Sequence, residues 1–163
     1  WKFKVLPVAA NAYINKKAYT AVEIERGIEL PQGQHSMVLT NDGCVTKKHT
    51  FNVDGPQSSG PQPIVLTWKP GILQIRSNTK AFIPIDGKEV GYAEASTPLL
   101  YTVPFGPASE FGFGRPKKKL RVFARPLLPN GEFDLKTTPQ NRTIEVEPGR
   151  AKPANLNLQF DAP

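Results

Sequence analysis

Two short stretches decide the fold of this chain, Ile14-Asn15-Lys16-Lys17 and Ile85-Asp86-Gly87-Lys88. Each lies between segments that favour β-strands, and each has the form of a two-residue hairpin turn. Asp86-Gly87 is a strong turn signal, because glycine accepts the positive φ that such a turn demands. Asn15-Lys16 is a weaker version of the same turn. The two stretches predict β-hairpins at corresponding places in two halves of the chain.

Further matches follow in the same order in both halves. Leu30-Pro31-Gln32-Gly33 corresponds to Val103-Pro104-Phe105-Gly106, in which proline presets one turn residue and glycine relieves the next. Phe51-Asn52-Val53 corresponds to Ile144-Glu145-Val146. Each half then ends on one more strand-like segment. Four ordered matches predict a duplicated unit.

The boundary between the copies is predicted at Lys69-Pro70-Gly71, a Pro-Gly turn between two strands. We therefore expect a first unit over residues 1–70 and a second unit over residues 71–163. The second unit is expected to carry an inserted loop at residues 105–119. Trp68, at the end of an apolar strand beside this hinge, is predicted to pack between the two units.

Composition favours an all-β fold. The 17 prolines and 13 glycines are spread along the whole chain, which argues for short strands joined by turns rather than long helices. We predict strands at residues 3–5, 12–14, 37–39, 51–53, 64–68, 72–75, 82–85, 100–103, 120–124, 143–146 and 156–160. The only helix-like window, residues 18–26, contains alternating Thr20, Val22 and Ile24, so we predict a strand there too.

The second copy resembles the PEGA domain. The likeness rests on Ile85-Asp86-Gly87-Lys88-Glu89-Val90-Gly91, on Thr97-Pro98 and on Val103-Pro104-Phe105-Gly106, and the first copy resembles a degenerate version. The resemblance implies two tandem small β-sandwich (Ig-like) units, repeated and non-catalytic. It also implies an extracytoplasmic location, in the periplasm or at the cell surface, as part of a bacterial or archaeal envelope assembly or a receptor.

The sequence offers no convincing catalytic or metal-binding constellation. His35 and His49 lie 14 residues apart without the spacing of a zinc pair, and we expect both to be exposed polar residues. The single cysteine, Cys44, is expected to be a small apolar residue beside a turn rather than a nucleophile. No phosphate-binding or dinucleotide-binding motif is present. We therefore predict no catalytic residues, no metal site and no cofactor.

One segment stands out as a candidate binding surface, because phenylalanines among glycines lead into a basic run. Its members are Phe105, Phe111, Phe113, Arg115, Lys117, Lys118, Lys119 and Arg121. The functional interpretation is a protruding loop whose aromatic rings and basic rim contact a partner. The structural alternative is that Phe111 and Phe113 plug the edge of the fold while the lysines form a solvated strand start.

The net charge favours anionic partners but does not distinguish one kind of anionic partner from another. The formal charge is +7, with +3 in residues 1–70 and +4 in residues 71–163. Such a balance favours weak attraction to anionic partners. No apolar run reaches the roughly 18 residues of a membrane span. The chain begins at Trp1-Lys2-Phe3-Lys4-Val5, which resembles the middle of a strand, so we expect either a processed chain or a piece excised from a longer one.

Three hypotheses about function follow. The first is a structural or protein-interaction module whose partners are other envelope proteins or subunits of a larger assembly. The second is a binding module for an anionic polymer, either acidic glycan or nucleic acid, through the aromatic-basic segment. The third, a glycan-processing enzyme, would need two convergent carboxylates, and the sequence singles out no pair.

Overall fold

The structure is a computed structural model that describes residues 1–112 and 114–161 of the chain. Strands make up 51% and helices 6%, which confirms the predicted all-β class. The elements of the first half are β1 Phe3–Leu6, β2 Asn11–Ile14, β3 Lys17–Thr20, α1 Ala21–Arg26, β4 Gly33–Thr40, β5 Lys47–Val53 and β6 Gln62–Val65. Those of the second half are β7 Gly71–Ser77, β8 Ala81–Ile85, β9 Lys88–Ala93, β10 Leu99–Val103, β11 Lys118–Pro126, β12 Gln140–Val146 and β13 Ala154–Leu158.

The chain forms two compact units, and one of them is discontinuous in sequence. The first unit contains Trp1–Lys69 together with Phe105–Pro116, and the second contains Pro70–Pro104 together with the described residues from Lys117 onward. This differs from the expected division, which gave the whole loop at residues 105–119 to the second unit.

Backbone hydrogen bonds explain why the segment Phe105–Pro116 belongs to the first unit. The Trp68 N–H donates to the Gly106 carbonyl at 3.2 Å, and the Ala108 N–H donates to the Leu66 carbonyl at 2.8 Å. Ala108 is buried at the start of a short 3-10 helix, Ala108–Glu110. These bonds join the segment to residues about 40 positions earlier in the chain, a pairing that local sequence signals do not reveal.

The first unit contains two sheets. Its larger sheet has the order β3-β2-β4-β5 with every neighbouring pair antiparallel. Its smaller sheet is the parallel pair β1-β6. Helix α1 packs against β1.

The second unit repeats this connectivity. Its larger sheet has the order β9-β8-β11-β12, again antiparallel throughout. In its smaller sheet β7 and β13 pair in parallel, as β1 and β6 do, and β10 adds an antiparallel strand along β7. Strand β10 follows β9 in the chain, as helix α1 follows β3 in the first unit. Helix α1 lies against β1, and β10 lies against β7, the strand that corresponds to β1.

The strand registers of the two units also match. Ile14 lies opposite Lys17 and Met37, while Ile85 lies opposite Lys88 and Val122. On the next strand of each sheet, His49 of β5 lies opposite Met37, and Arg142 of β12 lies opposite Val122. In the parallel pairs, Val5 lies opposite Ile64 and Ile75 lies opposite Leu156. These offsets agree with three of the sequence matches, those of the hairpin turns, of Val53 with Val146 and of Ile64 with Leu156. The match of Leu30–Gly33 with Val103–Gly106 does not keep the register, because β4 begins at Gly33 whereas β11 begins at Lys118.

Both hairpin turns have the predicted left-handed backbone. Asn15 and Lys16 have φ of 50° and 67°, and Asp86 and Gly87 have φ of 48° and 78°. Two successive positive φ values are characteristic of the type I′ turn, whose twist matches that of the flanking strands.

The window at residues 18–26 is not the continuous strand that we predicted. Strand β3 ends at Thr20, and helix α1 begins at the next residue. The Thr20 side chain accepts from the Glu23 N–H while the Glu23 carboxylate accepts from the Thr20 N–H, which forms a capping box. Ala21 and Ile24, one helical turn apart, are the residues that the helix buries.

Each larger sheet buries one face. Along β8 and β11 the residues alternate between buried and more exposed positions, so that Ile83, Ile85, Val122 and Ala124 line the interior of the second unit. In the first unit Ala12, Ile14, Met37 and Leu39 do the same. The period of two leaves the alternate side chains on the outer face of each sheet.

Candidate functional site

Phe105 and Phe111 of the predicted binding segment belong to the first unit. Phe105 is buried, and its ring lies 5.9 Å from that of half-buried Phe111. Phe113 lies outside the described residues. Phe105 therefore stabilises the first unit rather than presenting its ring to a partner. The structural alternative had assigned such a packing role to Phe111 and Phe113.

Arg115 forms an ion pair within the same unit. Its Nη2 donates to the Asp42 carboxylate at 2.6 Å. The Asp42 side chain is 86% exposed, whereas the Arg115 side chain is only 20% exposed. The guanidinium is thus largely covered by protein and is not part of an open basic rim.

The three lysines belong to the second unit and have partners there. The Lys117 ammonium lies 3.4 Å from Glu147 and 3.7 Å from Glu145, and Lys119 lies 3.8 Å from Glu145. The Lys118 ammonium donates to the Pro104 carbonyl. A hydrogen bond from Arg150, and then the nearby Lys117, hold the pKa of Glu147 below its ordinary value. Neighbouring carboxylates therefore offset part of the positive charge of this run.

Arg121 contributes its backbone to a turn. Its N–H donates to the Asp86 carboxylate at 2.9 Å, and its carbonyl accepts from the Asp86 N–H. Its side chain is exposed on the outer side of β11. The predicted segment is consequently divided, with Phe105, Phe111 and Arg115 in the first unit and Lys117–Arg121 in the second.

Trp68 is buried at 4% exposure and makes its described contacts within the first unit. It forms a bridge with Cys44, and its N–H reaches Gly106. Its predicted role between the units stays a prediction. Burial raises the pKa of the neighbouring Cys44 thiol to about 11, so this thiol is protonated and a poor nucleophile at neutral pH.

The histidines are not exposed as we predicted. His35 is buried, with its ring nitrogens within hydrogen-bond distance of the Asn15 side chain at 3.2 Å and the Pro31 carbonyl at 2.9 Å. His49 is half-buried against Phe51, with ring centroids 5.9 Å apart. Both point inward because they share the strand parity of buried neighbours. Among residues 1–112 and 114–161, no group of three or more His, Cys, Asp or Glu is arranged to hold a metal ion.

A cluster that the sequence prediction missed lies on the outer face of the larger sheet of the second unit. Tyr92, Phe82 and Arg125 stand opposite one another on β9, β8 and β11. The Phe82 ring lies 5.8 Å from both Tyr92 and Phe133, centroid to centroid. We call the set Lys80, Phe82, Tyr92, Phe123, Arg125 and Phe133 the aromatic-cationic face.

Cations lie over the rings of this aromatic-cationic face. The Arg125 Cζ is 5.3 Å from the Phe123 ring and 5.6 Å from the Phe133 ring, and the Lys80 Nζ is 5.4 Å from the Tyr92 ring. These distances fall within the range of cation–π attraction. Tyr92 is 54% exposed and Phe133 is 43% exposed, so the surface is both aromatic and accessible within the second unit.

The equivalent row of the first unit is different in chemistry. There Thr20, Asn11 and Thr40 stand opposite one another on β3, β2 and β4. The two copies keep matching apolar residues on their inner faces but differ at this outer row. The difference between Asn11 and Phe82 could have been found in the sequence. Asn11 lies three residues before Ile14, and Phe82 lies three residues before Ile85, the isoleucine aligned with it.

Comparisons with known protein families, with curated proteins and with solved structures found no match. Over the described ranges, the helices are too short or too polar to cross a membrane.

Proposed function

We propose that this protein is a non-catalytic structural and protein-interaction module that works outside the cytoplasm, within a larger bacterial envelope assembly or receptor. In this proposal each unit is a small β-sandwich of the PEGA type, and the partners are other envelope proteins or subunits. The repeated connectivity, the matching registers and the motif resemblance support it. The extracytoplasmic location rests on the resemblance.

The observation that carries the proposal is the aromatic-cationic face. Tyrosine, phenylalanine and arginine are enriched where proteins bind one another, because they contribute large contact area and directional polar groups. The row is Thr20, Asn11 and Thr40 in the first copy but Tyr92, Phe82 and Arg125 in the second. These side chains lie on the outer face of the sheet, so their aromatic and cationic character supports a role in contact with a partner.

The test is chemical crosslinking of the protein in cells that naturally produce it, followed by identification of the crosslinked partners. The informative variant is Tyr92→Ser combined with Arg125→Ser, which removes two exposed members of the face. We expect the variant to lose the partners that the parent protein captures, with unchanged folding by circular dichroism.

The chain offers a matched control at the equivalent positions of the first unit. Thr20→Ser combined with Thr40→Ser should keep every partner, and serine preserves the helix cap at Thr20. Retention of the same partners by the Tyr92→Ser and Arg125→Ser protein would contradict this face as the docking surface.

The alternative function, binding of an anionic polymer, also has an observation in its favour. Lys119, Arg121 and Arg125 follow one another on the outer side of β11, next to Phe123. Alternating cations and aromatic rings on a sheet surface suit the phosphates and bases of single-stranded nucleic acid or the charges of an acidic glycan. The lysine ion pairs described above weaken this alternative.

A salt titration separates the two functions. Binding of a single-stranded oligonucleotide or a sulfated glycan should weaken steeply between about 50 and 200 mM salt, because counterions are released on binding. Combined Lys117→Ala, Lys118→Ala and Lys119→Ala substitutions should weaken it further. The absence of affinity at low salt would remove this alternative and leave the protein-interaction proposal intact.

A further inference from the structure

The outer edge of strand β13 is an open sheet edge in the second unit. β13 is the terminal strand of the smaller sheet and pairs with β7. The Asn78 N–H, just after β7, donates to the Leu158 carbonyl at 3.2 Å. Because backbone groups alternate in direction along a strand, those of Asn155 and Asn157 point away from β7. Both residues are exposed, and in the described part of the chain no hydrogen bond engages the N–H or the carbonyl of either.

The corresponding edge in the first unit is blocked. Pro63 and Val65 of β6 occupy the places that the two asparagines hold in β13. Pro63 has no N–H, and the Lys47 ammonium donates to the Val65 carbonyl at 3.1 Å. Prolines and lysines protect the sheet edges of natural proteins against added strands. Asparagine at both positions leaves the edge of β13 without these two protections.

The space beyond the end of β13 is a cavity of about 560 Å³. Gln140 and Arg142 of β12 line it, together with Gln159 and Phe160, which directly follow β13. The Gln140 side chain donates to the Gln159 carbonyl. All of these residues belong to the second unit. The cavity gives a strand added along β13 room to continue past Leu158.

Two exposed cations flank this edge. Lys152 lies two residues before β13, and Arg142 lines the cavity at the other end. Over the described residues, the ion pairs all involve other cations. The charged residues of the cavity lining are Lys136 and Arg142 against Asp161. A second copy of this chain would bring the same cations near one another, whereas an acidic segment would pair with them.

We propose that the edge of β13 binds an extended segment of a partner protein by strand addition, with acidic residues of that segment near Lys152 and Arg142. In this mode main-chain hydrogen bonds supply the affinity, and alternate side chains supply the specificity. The segment exchanges hydrogen bonds with the backbone of Asn155 and Asn157. Its inward side chains extend the apolar layer that contains half-buried Leu156. This edge belongs to a different sheet from the aromatic-cationic face, and the proposal does not rest on the docking function given above.

The experiment follows the backbone amide signals of the ¹⁵N-labelled full chain by NMR. The probe is the synthetic peptide acetyl-Glu-Val-Thr-Val-Thr-Val-Glu-amide, whose alternation favours a strand and whose glutamates match the two cations. We expect saturable shifts at Asn155 and Asn157, with half-saturation below about 1 mM. Amide hydrogen exchange at these two residues should be fast without peptide and slow with it. The Leu158 amide, on the side of β7, should be protected in both states.

Proline at the edge is the informative substitution. Asn155→Pro removes an outward N–H without removing a bond to β7, as Pro63 does in the first unit, and should weaken peptide binding by roughly tenfold or more. Asn155→Ala keeps the N–H and should bind as the parent does. Combined Arg142→Gln and Lys152→Gln substitutions should weaken binding by roughly two- to tenfold, because exposed ion pairs contribute modestly.

A second peptide keeps the test independent of how the protein variants fold. With proline in place of both threonines, the peptide lacks the N–H groups of a regular ladder and should not bind. Tyr92→Ser combined with Arg125→Ser should leave the affinity for the first peptide unchanged, so failure at the aromatic-cationic face is distinguishable from failure at this edge.

Four outcomes would overturn the proposal. The first is the absence of a saturable shift at Asn155 and Asn157 up to several times the expected half-saturation. The second is equal binding of the proline-containing peptide, and the third is unaltered affinity in a folded Asn155→Pro protein. The fourth is protection of the Asn155 and Asn157 amides that grows with protein concentration in the absence of peptide, which would make a second copy of this chain the occupant.

Discussion

At the scale of the residue, adding a single methyl group at Gly43 should lower the stability of the protein. In Gly43→Ala the new Cβ would meet the Trp68 ring at 2.8 Å and 3.1 Å. Because that ring is buried, it cannot swing away at low cost, and we expect a loss of about 1–3 kcal/mol in the free energy of unfolding. Urea unfolding followed by tryptophan fluorescence measures this.

Gly60→Ala is the control for Gly43→Ala. A Cβ at Gly60 would have nothing within 4 Å, and this glycine is not among those with positive φ. The free energy of unfolding of the Gly60→Ala protein should differ from that of the parent by less than about 0.5 kcal/mol. Equal effects of the two substitutions would show that packing against Trp68 is not the cause.

His49 should make the first unit sensitive to acid. Burial, and next the charge of Lys47, lower the pKa of His49 from its ordinary value of 6.5. As pH falls below 6.5, the unfolded chain binds the proton before the folded one does. The stability contributed by the neutral ring is therefore complete above pH 6.5 and is lost as the pH falls through the folded pKa.

The urea midpoint measured by tryptophan fluorescence should thus decrease between about pH 7.5 and about pH 5. His49→Gln keeps a polar side chain without this titration, and its midpoint should fall less over the same interval. A fall of the same size in His49→Gln would assign the acid sensitivity to other groups.

At the scale of the element, the two hairpin turns form a natural pair for exchange. Lys16 and Gly87 both have positive φ, at 67° and 78°, a conformation that costs a residue with a Cβ roughly 1 kcal/mol or more. Lys16→Gly should therefore stabilise the protein by about 1 kcal/mol, and Gly87→Lys should destabilise it by a similar amount. Thermal or urea unfolding measures both.

Backbone strain alone should produce this pair of opposite effects, because a Cβ at Gly87 meets nothing within 4 Å. Two changes of the same sign would contradict it and would indicate that side-chain contacts of the lysine dominate. Lys88→Gly, in a strand rather than in the turn, is the control and should destabilise the protein modestly.

The strands and turns were the elements that local sequence predicted best. Asp86-Gly87 and Asn15-Lys16 act through their own backbone, so their conformation is encoded locally. Helix α1 was missed because Thr20, Val22 and Ile24 satisfy a period of two, while the capping pair Thr20 and Glu23 and the helical spacing of Ala21 and Ile24 compete with it. The deciding interaction is a side-chain cap, which alternation does not register.

The candidate site was harder to predict than the fold, since its chemistry depends on long-range pairing. In the sequence, the basic run from Lys117 has no acidic neighbour, whereas in the fold Lys117 pairs with Glu145 on β12 and with Glu147, which follows that strand. Phe82, Tyr92 and Arg125 are scattered in sequence and meet only across three strands. The burial of Trp68 and the ion pair of Arg115 with Asp42 likewise depend on residues that are distant in sequence.

At the scale of the whole molecule, the discontinuous first unit is the feature with the clearest consequence. The strand β10 leads directly into Phe105, so proximity in sequence suggests the second unit, whereas the hydrogen bonds of Gly106 and Ala108 lead back to Trp68 and Leu66. A chain cut after residue 70 would separate the first unit from this segment. Fragments of this protein should accordingly not be designed at that boundary.

Phe105→Ala tests the membership of the segment directly. Both tryptophans lie in the first unit, so tryptophan fluorescence reports the unfolding of that unit. Because the Phe105 side chain is buried against Phe111, its removal should lower the free energy of this transition by about 3 kcal/mol. Leu100→Ala, at a 63% exposed position of the second unit, should leave the transition nearly unchanged. If the segment stabilised only the second unit, Phe105→Ala would preserve the tryptophan-detected midpoint, and the division of the chain would return to a single cut near residue 70.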